Sequence, residues 1–280
     1  MARKVNRKLA DIPAGQEDPL SYAVTSRDRT VLDMVEKAVK HKQVMLAYQV
    51  VVTVGPQSQV AFYEGLIRVL DDTGRIIPAR DFITQIENTE TGRLIDCLAL
   101  EKGLNALKRF PELRLSINMS ARSIGYSQWG RILKRGLSHD PTVAERLILE
   151  ISEESAMQVP ELVTSFMNDL QGRGISFALD DFGAGLTSFK YLRDFYFDIF
   201  KIDGQFIRGI INNPDNQILT AALVAIAEQF DTLTVAENVE NSQEAAFLTE
   251  LGVNCLQGYN YGAPTVKPPW LEAAQSRKSA

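Results

Sequence analysis

Histidine and cysteine are both scarce, with two of each in 280 residues. His41 and His139 each stand beside a Lys or Asp in a polar stretch, which argues against a Ser-His-Asp triad or a histidine-rich zinc site. Cys97 and Cys255 lie far apart in apolar runs and form no CxxC spacing, so they read as reduced core thiols. No apolar run approaches the roughly 20 residues of a membrane span, so no membrane insertion is expected. The start, MARKVNRK, is basic but lacks a following apolar stretch, so it does not read as a signal peptide, and the expected compartment is the cytoplasm. A basic excess is missing too. The net charge of −5 disfavours a nucleic-acid polymer as partner, though a small anion remains compatible if bound cations invert the local field.

What is present suits one globular core: 45% of the residues are hydrophobic and 23% charged. Residues 1–28 are polar, without sustained periodicity, and read as a tail; residues 271–280 end in a similar polar stretch. The span 29–270 between them contains no linker-like segment and reads as one domain. A single α/β barrel needs about 250 residues.

The runs Val44–Thr53 and Val60–Leu70, separated by a turn at Gly55-Pro56, predict an opening hairpin. Helical patterns follow over 79–88, 90–109, 127–137, 160–172, 187–194, 215–229 and 241–251. Between them stand short β-branched runs at Leu113–Met119, Arg146–Ser152, Ile175–Asp181, Ile199–Asp203, Leu233–Glu237 and Cys255–Gly258. Strands alternating with helices imply parallel βα units. An open sheet would usually show a glycine-rich phosphate turn after its first strand, and none is present. The expectation is a (β/α)₈ TIM-type barrel.

Each apolar run stops in the same way. The breaks fall at Asn118, Glu150, Asp180-Asp181, Lys201, Glu237 and Gln257. Taken singly, each has a plainer explanation: a helix cap, a loop start or a snorkelling lysine. Recurrence at successive strand ends defeats that account. In a barrel these positions converge on the C-terminal face, where active sites form. Carboxylates with amide oxygens suit hard cations such as Mg²⁺ or Mn²⁺, and a lone lysine beside them can hold an attacking water. Residue types alone therefore suggest metal-assisted hydrolysis of a phosphate ester.

At these residues the chain resembles the EAL family of cyclic di-GMP phosphodiesterases. Glu64-Gly65-Leu66 stands at the Glu-Ala-Leu signature, and Asn118-Met-Ser120, Glu150-Ile-Ser-Glu153 and Asp180-Asp-Phe-Gly-Ala-Gly185 follow in the family's order. Lys201-Ile-Asp203, Ala236-Glu-Asn-Val-Glu240 and Gln257-Gly-Tyr259 complete the series. The resemblance implies a barrel with an antiparallel first strand and two Mg²⁺ or Mn²⁺ ions. Glu64, Asn118, Glu150 and Asp180 would hold the first ion. Asp180 would bridge to the second, with Asp181 and, directly or through water, Glu237 and Glu240. Lys201 would position the attacking water and Gln257 orient the network. Gln49, Leu66 and Arg68 would contact cyclic di-GMP, giving 5′-pGpG. Glu153 would anchor the loop Phe182–Ser188, which in the family lies near a homodimer interface.

Four positions depart from the family pattern: Gly65 for alanine, Leu186 for an aromatic, Asn238 for glycine and Val50 for proline. Gly65 falls on the face opposite Glu64, so a modest loosening is expected. None of the four removes a ligand or the lysine. A domain of this kind that binds cyclic di-GMP without hydrolysis, or serves as an interaction module, is the alternative reading.

Overall fold

A computed structural model describes residues 31–272 except 56, 72, 139 and 186–188. The expectations for the tail over 1–28, for His139, for Leu186 and for most of 271–280 fall outside the described residues. The opening hairpin forms as the spacing predicts, β1 (Val44–Thr53) pairing antiparallel with β2 (Val60–Leu70) in a register that sets Gln49 opposite Glu64. A short β3 (Ile76–Pro78) extends the far end of β2 outside the barrel. Then come β4 (Leu115–Asn118), β5 (Leu147–Ser152), β6 (Ser176–Phe182), β7 (Ile199–Ile202), β8 (Leu233–Ala236) and β9 (Cys255–Gln257). From β2 through β4 to β9 neighbouring strands are parallel, and β9 closes the ring antiparallel onto β1. The result is a TIM-type (β/α)₈ barrel whose first strand runs against the others.

The strands are short apolar runs because both of their faces are covered: β7 is buried at every residue and β5 at all but its last. Helices wrap the outside, the longest over Glu90–Arg109, which buries Ile95, Leu100, Leu104 and Leu107. A helix over 31–40 precedes β1 and buries Val35, Ala38 and Val39. It was not among the predicted helices.

Strand alternation then builds the site. Val51, Phe62, Ile148, Ala178, Ile199, Val235 and Cys255 fill the lower barrel interior as a separate apolar layer. Successive side chains alternate between faces, so the next inward residue lies two positions away along each strand. Those residues are Gln49, Glu64, Glu150, Asp180, Lys201, Glu237 and Gln257. An apolar floor supports a polar layer.

Candidate active site

Lys201 occupies the middle of the polar layer and is fully buried. Its Nζ lies 2.8 Å from Glu150 Oε2, 2.9 Å from Asp180 Oδ1, 2.9 Å from Glu237 Oε1 and 3.3 Å from Glu64 Oε2. Two amides tie Glu64 in place. Gln257 Nε2 donates to its Oε2 at 2.6 Å, and Asn118 Nδ2 donates to its Oε1 at 2.9 Å. Gln257 Nε2 also reaches Gln49 Oε1 at 3.4 Å, linking β9, β1 and β2 around the rim.

Asp180 and Asp181 are consecutive, so a regular strand would send them to opposite faces. The register between β6 and β7 shifts between Leu179 and Phe182, and Asp181 has φ 55°. This bulge, with its left-handed residue, turns the second carboxylate back to the mouth. One carboxylate oxygen each from Asp180, Asp181 and Glu237 can lie within 4.8 Å of the others. That is a spacing at which a divalent cation can be shared.

The electrostatics are unbalanced. Burial and then its carboxylate neighbours push Glu150 up to about 8, and burial with Asp180 and Asp203 pushes Asp181 up to about 7. Glu237 is raised well above the ordinary range, by burial first and then by Asp180 and Glu64 against the pull of Lys201. Glu64 moves the other way. Although burial opposes it, Lys201 and the amides of Gln257 and Asn118 hold it below the usual glutamate value. Lys201 is raised well above the lysine value, since the surrounding carboxylates outweigh its burial. One ammonium cannot neutralise this many carboxylates.

Cations fit what remains. Glu150 Oε1 and Gln257 Oε1 are buried with no hydrogen-bond donor among the described residues, and Asp180 Oδ1 has only the Lys201 ion pair. Acceptor oxygens without donors, in a histidine-free set of carboxylates and amides, match the preference of Mg²⁺ and Mn²⁺.

Several expected residues lie at the edge of this cluster. Glu153 is buried, and its Oε2 accepts from Gly183 N at 2.9 Å and Gly185 N at 3.4 Å, so it holds the start of the loop after β6. Leu66 and Arg68 follow Glu64 on the same face of β2, half-buried above the mouth, where Arg68 Nη1 donates to Ile67 O at 2.9 Å. Gln49 also donates to Gly262 O at 3.2 Å. Glu240 stands apart: it is exposed, and its carboxylate lies 3.9 Å from Arg208 rather than with the others.

Sequence reasoning assigned no role to three residues that shape the site. Asp203 helps to raise the carboxyl of Asp181 and caps the following turn by accepting from Gln205 N at 2.6 Å. Asp96 receives Ser123 Oγ at 2.6 Å and Ser120 N at 3.0 Å, fixing the loop that follows Asn118. A lone acid inside the apolar run Leu94-Ile-Asp-Cys-Leu98 was the available signal for Asp96. Glu244 is buried and accepts from Gly209 N and Glu240 N, tying the loops after β7 and β8 together.

A cavity of about 470 Å³ adjoins Asn118, Asp180 and Asp181, walled by Asp96, Ser120 and Asp203. A larger one, about 1580 Å³, opens at the opposite end of the barrel beneath Phe62, Ile148, Ile199 and Val235. No group of carboxylates converges on it among the described residues, so volume does not mark the chemistry here.

Residues 32–264 match the family model described as EAL domain. Cyclic di-GMP phosphodiesterase PdeR of Escherichia coli is 30% identical over 241 residues, covering 82% of this chain and 35% of that protein. Cyclic di-GMP phosphodiesterase PdeB of Shewanella oneidensis is 28% identical over 247 residues, with 87% and 29% covered. The chain thus spans about a third of the length of these relatives. Among solved structures, the MucR phosphodiesterase in complex with c-di-GMP superposes with a TM-score of 0.73 at 26% identity, over 84% of this chain and 97% of that one. The FimX EAL domain from Pseudomonas aeruginosa, at 23% identity and a TM-score of 0.76, shares the fold. The motif series, the antiparallel first strand and the family match agree: this chain belongs to the EAL domain family.

Proposed function

We propose that this chain is a metal-dependent phosphodiesterase that hydrolyses cyclic di-GMP to 5′-pGpG. The observation that carries the reading is the set of four carboxylates, Glu64, Glu150, Asp180 and Glu237, around the buried ammonium of Lys201 at the C-terminal mouth. The likeness to PdeR and PdeB, both cyclic di-GMP phosphodiesterases, supports it.

Glu64, Asn118, Glu150 and Asp180 would hold one Mg²⁺ or Mn²⁺. Asp180, Asp181 and Glu237 would hold a second, with Glu240 contributing through water from its outer position. Bound cations supply charge neutralisation at the phosphate and a water acidic enough to attack near neutral pH. Lys201 offsets the charge of the cluster and would orient that water once cations draw the surrounding carboxylates away from its ammonium. Gln257 and Asn118 hold Glu64 in one rotamer. Leu66 offers an apolar surface to a guanine, while Arg68 and Gln49 offer donors to phosphate or base edges.

A homodimer fits the surface. The helix over Pro214–Gln229 exposes Ile218 and Leu219 in a stretch without charges, and its Leu223 lies against Gly183 at the start of the loop after β6. Cytoplasmic placement suits the buried free thiols of Cys97 and Cys255.

The test is incubation of purified protein with cyclic di-GMP and Mn²⁺, followed by chromatography of the products. Linear 5′-pGpG is expected, with turnover lowered by about 10²-fold or more in Lys201→Ala. Binding without turnover would replace the enzyme by a receptor, and no binding would leave an interaction module.

A further inference from the structure

Two glycines make room for the loop that carries Glu237. A Cβ built on Gly258 would fall 2.1 Å from Val239 O and 2.3 Å from Val239 N, so the backbone of that loop presses against the strand end after β9. On the other side, a Cβ on Gly204 would fall 1.8 Å from Asn238 Nδ2, 2.6 Å from its Cγ and 2.8 Å from its Cβ. The outer side of Asn238 is exposed, and Gly204 beneath it is buried. Asn238 has φ 55°, a left-handed conformation that asparagine tolerates better than most residues. That turn swings its side chain over the start of the helix at Gly204–Ile207.

We infer that Asn238 is a positioning residue: its amide fills the gap above Gly204 and braces the loop after β8 against the loop after β7, holding Glu237 beside Lys201. The brace spans a short distance. Glu237 and Asn238 are adjacent, and Gly204 follows Lys201 by three residues. The backbone links already present, Glu237 N to Ile202 O at 3.2 Å and Val239 N to Gln257 O at 3.0 Å, fix the loop at its two ends, and Asn238 fixes the residue between them. The role in cation binding rests on the metal reading above; the packing itself does not.

Gly204→Ala, Asn238→Gly and the double variant separate these parts. In metal-free protein, Gly204→Ala should lower the melting temperature, and Asn238→Gly in the same chain should restore most of it, because the added methyl then takes the vacated space. In calorimetry with Mn²⁺ alone, Asn238→Gly should weaken binding by about tenfold. With cyclic di-GMP as substrate it should lower kcat more than it raises KM. Additive melting shifts would overturn the brace, and unchanged Mn²⁺ affinity in Asn238→Gly would overturn the positioning role. Wild-type protein that binds Mn²⁺ without cleaving cyclic di-GMP would refute the phosphodiesterase reading while these two arms still decide. Wild-type protein that binds no Mn²⁺ would overturn the positioning role together with the metal reading.

Discussion

Ile117 Cδ1 stands 2.7 Å from the point where a β-carbon at Gly65 would sit, and 2.8 Å from the corresponding point at Gly103. Gly65 lies opposite Ile117 in the β2–β4 register, and Gly103 is on the covering helix. The methyl that the family signature places at position 65 is thus replaced by the tip of an isoleucine from the next strand. The gap is filled, so the loosening expected from a glycine at this position is compensated by packing.

Restoring the signature alanine should therefore destabilise the protein. Gly65→Ala is expected to cost about 1–3 kcal/mol through overpacking, and Gly65→Ala with Ile117→Val should recover at least half of that. Urea denaturation of the metal-free variants measures both. A stabilised single variant would show that the space is open after all.

Cation affinity should depend on pH. Glu150 and Asp181 are raised to about 8 and about 7, so below those values protons occupy the carboxylates a cation needs. Metal binding must then release protons. Mn²⁺ affinity is expected to fall by about tenfold or more from pH 8 to pH 6, with proton release visible as a buffer-dependent calorimetric heat. A flat profile would mean that Lys201 already keeps these groups ionised.

Much of this site was legible in the sequence, because a break from apolar to polar at each strand end is a one-dimensional signal. Asn118, Glu150, Asp180, Lys201, Glu237 and Gln257 were all visible that way, whereas Glu64, in the middle of β2, was reached only through the resemblance to the EAL signature; the strands β1 and β2 begin and end where their β-branched runs do. Other features depend on backbone geometry or distant packing. Alternation alone sends Asp180 and Asp181 to opposite faces; only the left-handed φ of Asp181 brings them together. The contact of Asn238 with Gly204 joins residues on different loops, and no local pattern encodes it. Helices at Thr142–Arg146, Glu153–Gln158 and Gly204–Ile207 are too short to establish a period. Glu240 sits in the motif but turns to Arg208, since its backbone is held by Glu244.

The aromatic group around Trp270 ties the chain's return segment to the hairpin. Its ring meets Tyr48 at 4.8 Å, Phe110 at 4.7 Å and Tyr63 at 6.0 Å, all edge-on. Trp270→Ala should cost about 3 kcal/mol, while Trp270→Phe should cost less than half as much. Since the cluster lies away from the carboxylates, Mn²⁺ affinity at a temperature where the variant is folded should not change. A loss of affinity equal to the loss of stability would place this segment in the metal site's support.

Asp96 gives the last prediction its sign. Burial pushes its carboxyl from 3.8 up to about 7, against the donors Ser123 and Ser120. The folded protein therefore holds this proton more tightly than the unfolded chain does. The stabilising contribution is complete below about pH 4 and is lost as pH rises towards 7. Asp96→Asn removes the titration while keeping one acceptor for the loop after Asn118. In chelator-treated protein, the melting temperature of the variant relative to wild type should rise between pH 5 and pH 8, because only the wild type must bury a charge there. The comparison is a difference between two chains, so the titrations of Glu150, Asp181 and Glu237 cancel. A difference that stays constant across this range would mean that Ser123 and Ser120 hold Asp96 ionised throughout.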